Sequence, residues 1–126
     1  KYGIRDQKLN VLHNLLVNTD YSKVLVFSKT RKGADVIAKH LKNRGHQADV
    51  IHGQKSQSKR HKAMSRFRNN DIDVLVATDV AARGIDVPNI SHIINYDEPA
   101  TYNDYIHRIG RTGRMGKKGT ALTFVK

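Results

Sequence analysis

The sequence predicts an α/β domain, a three-layer sandwich in which a mostly parallel central sheet is covered by helices on both faces. Short apolar runs recur along the chain: VLVF at 24–27, ADVI at 48–51, DVLVAT at 73–78, HIINY at 92–96 and TALTFV from 120. Between them lie segments with a 3.6-residue apolar period. Strands that are apolar throughout, alternating with helices, are the mark of a parallel sheet buried on both sides.

The elements follow in order. In DQKLNVLHNLL, Leu9, Leu12, Leu15 and Leu16 recur at helical spacing, and VLVF then reads as a short buried strand. ADVIAKHLKNRG repeats the helical period through Ala34, Ile37, Ala38 and Leu41, with Gly45 placed where a helix C-cap belongs. After ADVI a helix is expected from about Ser56 to Arg68, then DVLVAT, a short VAAR segment and HIINY. A last helix is expected from about Tyr102, opened by a capping box of Thr101 and Asp104, before the final strand. There is no internal repeat, low-complexity segment or linker, so residues 1–126 read as one domain, expected to be a piece of a longer chain.

Lysine and arginine number 23 against 11 acidic residues, a formal net charge of +12 that makes polyanions the expected partners. Two acid-free runs concentrate it: Lys55, Lys59, Arg60, Lys62, Arg66 and Arg68, then Arg108, Arg111, Arg114, Lys117 and Lys118. The chain has no cysteine, which excludes a disulfide framework and thiolate zinc sites. It also shows no stretch apolar and long enough for a signal peptide or a membrane span, and a cytoplasmic location with no membrane partner is expected.

Ligands of open parallel sheets bind beyond the carboxyl ends of the strands. Those ends read SKT, HG, TDVAARGID and YDEP. Thr30 and Thr78 offer hydroxyls, Gly53 an unobstructed backbone N–H, and Arg60 a cation in a basic helix. These are groups that contact phosphates, not bases. His52 is expected to be a satisfied loop histidine in preference to a base. HIINYDE resembles the magnesium-binding strand of a nucleoside triphosphatase, but no G-x-x-x-x-G-K-[ST] loop lies upstream, so Asp97 and Glu98 read as a turn into Pro99 and the chain alone is expected not to hydrolyse ATP.

HRIGRTGR, residues 107–114, is the segment that local stability does not explain. Continued as a helix, it would line up His107, Arg111 and Arg114, with Arg108 displaced by about 100 degrees. Like charges there cost about 0.2 to 0.5 kcal/mol per pair, and Gly110 and Gly113 about 1 kcal/mol each relative to alanine. Such a violation marks a candidate site. Guanidinium groups suit either a clamp on a phosphoryl group or contact with a nucleic-acid backbone.

VLVFSKT, HGQKSQSKR with Phe67 beyond it, ATDVAARGID and YIHRIGRTGR occur in that order and cover essentially the whole chain. In this the sequence resembles the second RecA-like domain of DEAD-box ATP-dependent RNA helicases, and the HGQKSQ wording looks bacterial. The resemblance implies a RecA-like fold, and two such domains closing over RNA, single-stranded or duplex, and over ATP with Mg2+. The N-terminal partner domain, absent from residues 1–126, would hold most of the nucleotide. Arg111 and Arg114 would reach the γ-phosphate, His107 would couple to the hydrolysis site, and Arg108 would support the closed interface. Asp86 would meet the ribose, with Gly84 and Arg83 at the same seam. Thr30, Gly53, Gln57, Arg60, Thr78 and Asp79 would form or brace the RNA track. No metal ligand is assigned, and the isolated domain is expected to be an inactive monomer. Lys29, where the family often has asparagine, and Gln54, where it often has an acidic residue, depart from the pattern. A nucleic-acid binding module without motor activity and half of a DNA helicase are the competing readings.

Overall fold

The computed structural model describes residues 4–53, 56–83, 85, 87, 89–101, 103, 107, 108, 110 and 119–124. The elements are α1 (Ile4–Val17), β1 (Val24–Phe27), α2 (Arg31–Asn43), β2 (Ala48–Ile51), α3 (Gln57–Arg68), β3 (Val74–Ala77), α4 (Asp79–Ala82), β4 (His92–Asn95) and β5 (Thr120–Thr123). The strands form one five-stranded sheet in the order β2-β3-β1-β4-β5, and every pairing in it is parallel. The expected parallel sandwich is therefore the observed one, with most boundaries moved by a residue or two and α2 starting at Arg31 ahead of the expected Ala34. The expected final helix falls mostly outside the described residues, though Asn103, His107 and Arg108 are helical.

Alternation along the strands divides the core into two layers. Val24, Val26, Val74, Val76, Ala48, Val50 and Ile94 face one side, where α1 and α2 cover them with Leu9, Leu12, Leu16, Ile37 and Leu41. Leu25, Phe27, Leu75, Ala77, Ile51 and Ile93 face the other, against Ala63 and Phe67 of α3 and Ala81 and Ala82 of α4. This division follows from crossover handedness: the chain passes outward from β1 to β2 over one face, and must return from β2 to β3 over the other.

Two helices end as their sequences dictate. After α2, Gly45 has φ of 90° and its N–H donates to Lys42 O at 3.1 Å, while His46 N–H donates to Leu41 O at 3.0 Å. After α3, Asn70 takes the same left-handed role at φ of 66°, with Asp71 N–H donating to Arg66 O at 2.8 Å. Both are Schellman closures, using the two residue types that tolerate positive φ best. Each closure turns the chain sharply into the next strand.

Candidate functional site

Because each helix that follows a strand starts at the carboxyl edge of the sheet, α2, α3 and α4 all present their N-termini there. Gly53 follows β2, Thr78 follows β3 and Thr30 follows β1. These three strands are neighbours, about 4.8 Å apart, so the three residues share one stretch of edge. Thr30 caps α2, its Oγ1 accepting from Gly33 N–H at 2.9 Å. Thr78 stands at the same position ahead of α4, but its side chain makes no capping bond. Among the described residues, a Cβ on Gly53 would meet nothing closer than Arg31 Cδ at 4.0 Å, so none of their atoms requires glycine there. Gln57 and Arg60 begin α3 behind the Ser56 cap, and Arg60 Nη2 donates to Arg83 O at 3.3 Å. The first turns of α2 and α3 hold no acidic residue of their own to offset the positive end of the dipole.

The centre of the site is Arg108, only 2% exposed. Its Nε donates to Asp79 Oδ1 at 2.6 Å and its Nη2 to Asp79 Oδ2 at 2.7 Å, a bidentate pair. Its Nη1 donates to Asn95 Oδ1 at 3.2 Å and to Asp97 O at 2.8 Å. The guanidinium carbon lies 4.9 Å from the centre of the Phe27 ring, a cation–π contact. Strand alternation makes this possible, since Asn95 points to the same face as Phe27 and Ala77. Asn95 Nδ2 in turn donates to Thr123 Oγ1 at 3.0 Å on β5. Arg108 thus ties the start of α4 to the ends of β1 and β4.

Asp97 does more than turn the chain. Its Oδ2 accepts from Lys29 N–H at 2.7 Å and lies 3.5 Å from Ser28 Oγ, while Oδ1 pairs with Lys8 Nζ at 3.6 Å. Lys8 Nζ also sits 4.2 Å from the centre of the Tyr96 ring. The carboxylate thus joins α1 to the ends of β1 and β4. Lys29 serves through its backbone, which any residue but proline provides. His52 Nε2 lies 3.0 Å from Asp35 Oδ2, the satisfied histidine that was expected. The sequence reading of Asp97 was a turn, and it named neither Asn95 nor Lys8. Asn95 left a signal, an amide in an apolar strand at a position whose neighbours face the core.

Of the other expected residues, His107 and Arg83 are exposed. Gly84, Asp86, Arg111 and Arg114, with Gln54 and Asp104, lie outside the described residues. At the opposite edge of the sheet His13 Nδ1 and His46 Nε2 are 2.8 Å apart, joining α1 to the start of β2. Burial pushes the His46 imidazole below its usual pKa and His13 pushes it further, with His40 adding to the effect and Asp73 opposing it. Burial also raises the Asp73 carboxyl, while Tyr21 is raised by burial and by that same carboxylate. No helix among the described residues is long and apolar enough to cross a membrane.

Residues 7–116 of this parallel α/β domain match the helicase conserved C-terminal domain. The chain belongs to that family, and within it to the DEAD-box proteins. It is 46% identical over 119 residues to the ATP-dependent RNA helicase CshA of Limosilactobacillus reuteri, covering 94% of this chain and 24% of that protein. It is 51% identical over 119 residues to DEAD-box ATP-dependent RNA helicase 20 of Arabidopsis thaliana, with the same coverage, 94% and 24%. The chain thus spans about a quarter of the length of these curated relatives. Among solved structures it resembles the E. coli DEAD-box protein SrmB bound to regulator of ribonuclease activity A, with a TM-score of 0.90 and 40% identity over 96% of this chain and 71% of that one. It also resembles S. cerevisiae Dbp5 bound to RNA and ADP BeF3, with a TM-score of 0.87 and 39% identity over 96% of this chain and 32% of that one. The fold is RecA-like.

Proposed function

We propose that this chain is the second RecA-like half of an ATP-dependent RNA helicase, supplying arginines to a nucleotide held by a partner domain and one side of a single-stranded RNA backbone track. The observation that carries this reading is the buried Arg108–Asp79 pair. Taking the Arg108 charge out of water, against a carboxylate that is itself 32% exposed, is costly, and apolar residues often fill such a volume as stably. The pair makes sense as a device that fixes the start of HRIGRTGR against the strand ends. Arg111 and Arg114, three and six residues further on, are then the guanidiniums that meet the phosphoryl group, and His107 couples them to hydrolysis. Asp86, Gly84 and Arg83 complete the nucleotide seam.

The residues present fit half of an ATP site. Arginine suits a phosphoryl group, but the chain lacks a phosphate loop and Asp97 is committed to Lys29 and Lys8. ATP with Mg2+, when bound, supplies the phosphoanhydride whose cleavage drives the cycle, and the partner domain holds it. Thr30, Gly53, Gln57, Arg60 and Thr78 contact the RNA backbone, and Asp79 braces Thr78 from the next position. Alone, the domain binds RNA weakly and turns over no ATP.

The test joins the chain to an N-terminal RecA-like domain that carries a phosphate loop. Arg111→Ala is expected to lower RNA-stimulated ATP turnover by about 10³-fold or more while RNA binding persists. Turnover within about threefold of wild type would overturn the arginine assignment, since a phosphoryl-clamping arginine is worth far more. Equal competition by DNA of the same sequence would overturn the choice of RNA, because discrimination runs through the 2′-OH.

A further inference from the structure

We propose that the solvent face of α3 is a second RNA-backbone surface, which takes up the strand where it leaves the strand-end track. This rests on the RNA reading above and extends it to residues outside that track. Helix α3 starts beside the track at Gln57 and Arg60 and runs about 18 Å away from it, toward the opposite edge of the sheet. Ala63 and Phe67 face the core. Ser58 and Ser65, two turns apart, lie along the middle of the opposite face, with Lys62 on one side and His61 and Arg68 on the other. All five are exposed.

The charge on this face is unbalanced. Lys59, Lys62 and Arg68 form no ion pair among the described residues, and α3 itself contains no carboxylate. Among the described residues its one neutralised cation is Arg66, held 3.2 Å from Asp49 at the flank. A face kept charged only for solubility mixes both signs, as α2 does by placing Asp35 among its cations. The two serines keep the centre of the face low and give it hydroxyl donors, so a phosphate chain can lie between the flanking cations. Such a surface gives affinity without sequence preference, and adds to the salt dependence of binding.

Fluorescence anisotropy at low salt tests this with two labelled oligouridylates, one just long enough to span the strand ends and one twice that length. The variant Lys62→Gln with Arg68→Gln keeps good helix formers on an exposed face. Lys39→Gln with Lys42→Gln removes the same charge from α2, on the other side of the sheet. The α3 variant is expected to weaken the longer RNA severalfold and to lower its salt slope by about 0.7 per lost phosphate contact. It should leave the shorter RNA unchanged, and the α2 variant should leave both unchanged. Equal losses for the two lengths, or an equal loss from the α2 variant, would reduce the effect to net charge and overturn the proposal. An unchanged longer RNA in the α3 variant, while Arg60→Ala weakens both lengths, would overturn this inference alone. Failure of the wild-type chain to bind either RNA would overturn the RNA reading with it.

Discussion

Replacing Asp79 by alanine strips Arg108 of its only bidentate partner and leaves a guanidinium that is 2% exposed facing one amide oxygen and one carbonyl. Breaking a buried pair in this way costs about 3 to 5 kcal/mol. The Asp79 side chain is 32% exposed, so water can partly replace it and the lower end, about 3 kcal/mol, is expected. In a domain of this size that lowers Tm by about 10 °C and removes a fifth or more of a typical total stability of roughly 5 to 15 kcal/mol. Urea and thermal unfolding followed by circular dichroism measure both. Arg108→Lys should not behave as a conservative change, because one ammonium cannot span Asp79, Asn95 and Asp97 together. A double-mutant cycle of Asp79→Ala with Arg108→Met should return a coupling of about 1 to 3 kcal/mol. A cost below about 1 kcal/mol for Asp79→Ala, the scale of an exposed ion pair, would refute the view that this pair fixes the arginine segment.

Two further outcomes follow from the helix ends and the histidine pair. Gly45→Ala should lose about 1 to 2 kcal/mol in urea unfolding, entirely through the backbone, because φ is 90° there and an added Cβ meets nothing within 4 Å. For His46, whose folded pKa lies below its ordinary 6.5, the unfolded chain binds the proton more readily. Its contribution to stability is therefore fully present above pH 6.5, is lost as pH falls below that value, and levels off below the folded pKa. His13, His40 and Asp73 face it, and Asp73, raised above 3.8, gives a slope of the opposite sign nearer its own range. The urea midpoint of wild type should fall more steeply than that of His46→Gln between about pH 7 and 5, and parallel curves would rule out the burial of His46 as the cause.

Much of the fold was legible because its determinants are local. VLVF and DVLVA are apolar throughout and must be buried on both sides, and Gly45 announces the end of α2. Strand order was not legible, since nothing in ADVI or HIINY names a neighbour; pairing depends on crossover handedness and on which faces the helices cover. At the site, Thr30, Gly53 and Thr78 could be found because strand ends can be counted. That Arg108 is buried and Asp97 committed could not. Arg108 sits in an arginine run that looks uniform in sequence, and only the register bringing Asn95 and Phe27 to one face distinguishes it from its neighbours. Asp97 looked like a turn residue because its partners, Lys8 and Lys29, lie 89 and 68 positions away.

The contact of Lys8 with Tyr96 and Asp97 places the start of α1 at the carboxyl edge of the sheet, although β1 begins at the far one. The polypeptide therefore comes into α1 beside the strand ends. Anything joined ahead of α1 is leashed beside the strand ends, and a short tether there gives a high effective concentration without having to wrap around the sheet. In such an arrangement, closing over the edge is an intramolecular search across a small volume. Its rate can be set by the leash, independently of the chemistry at the strand ends.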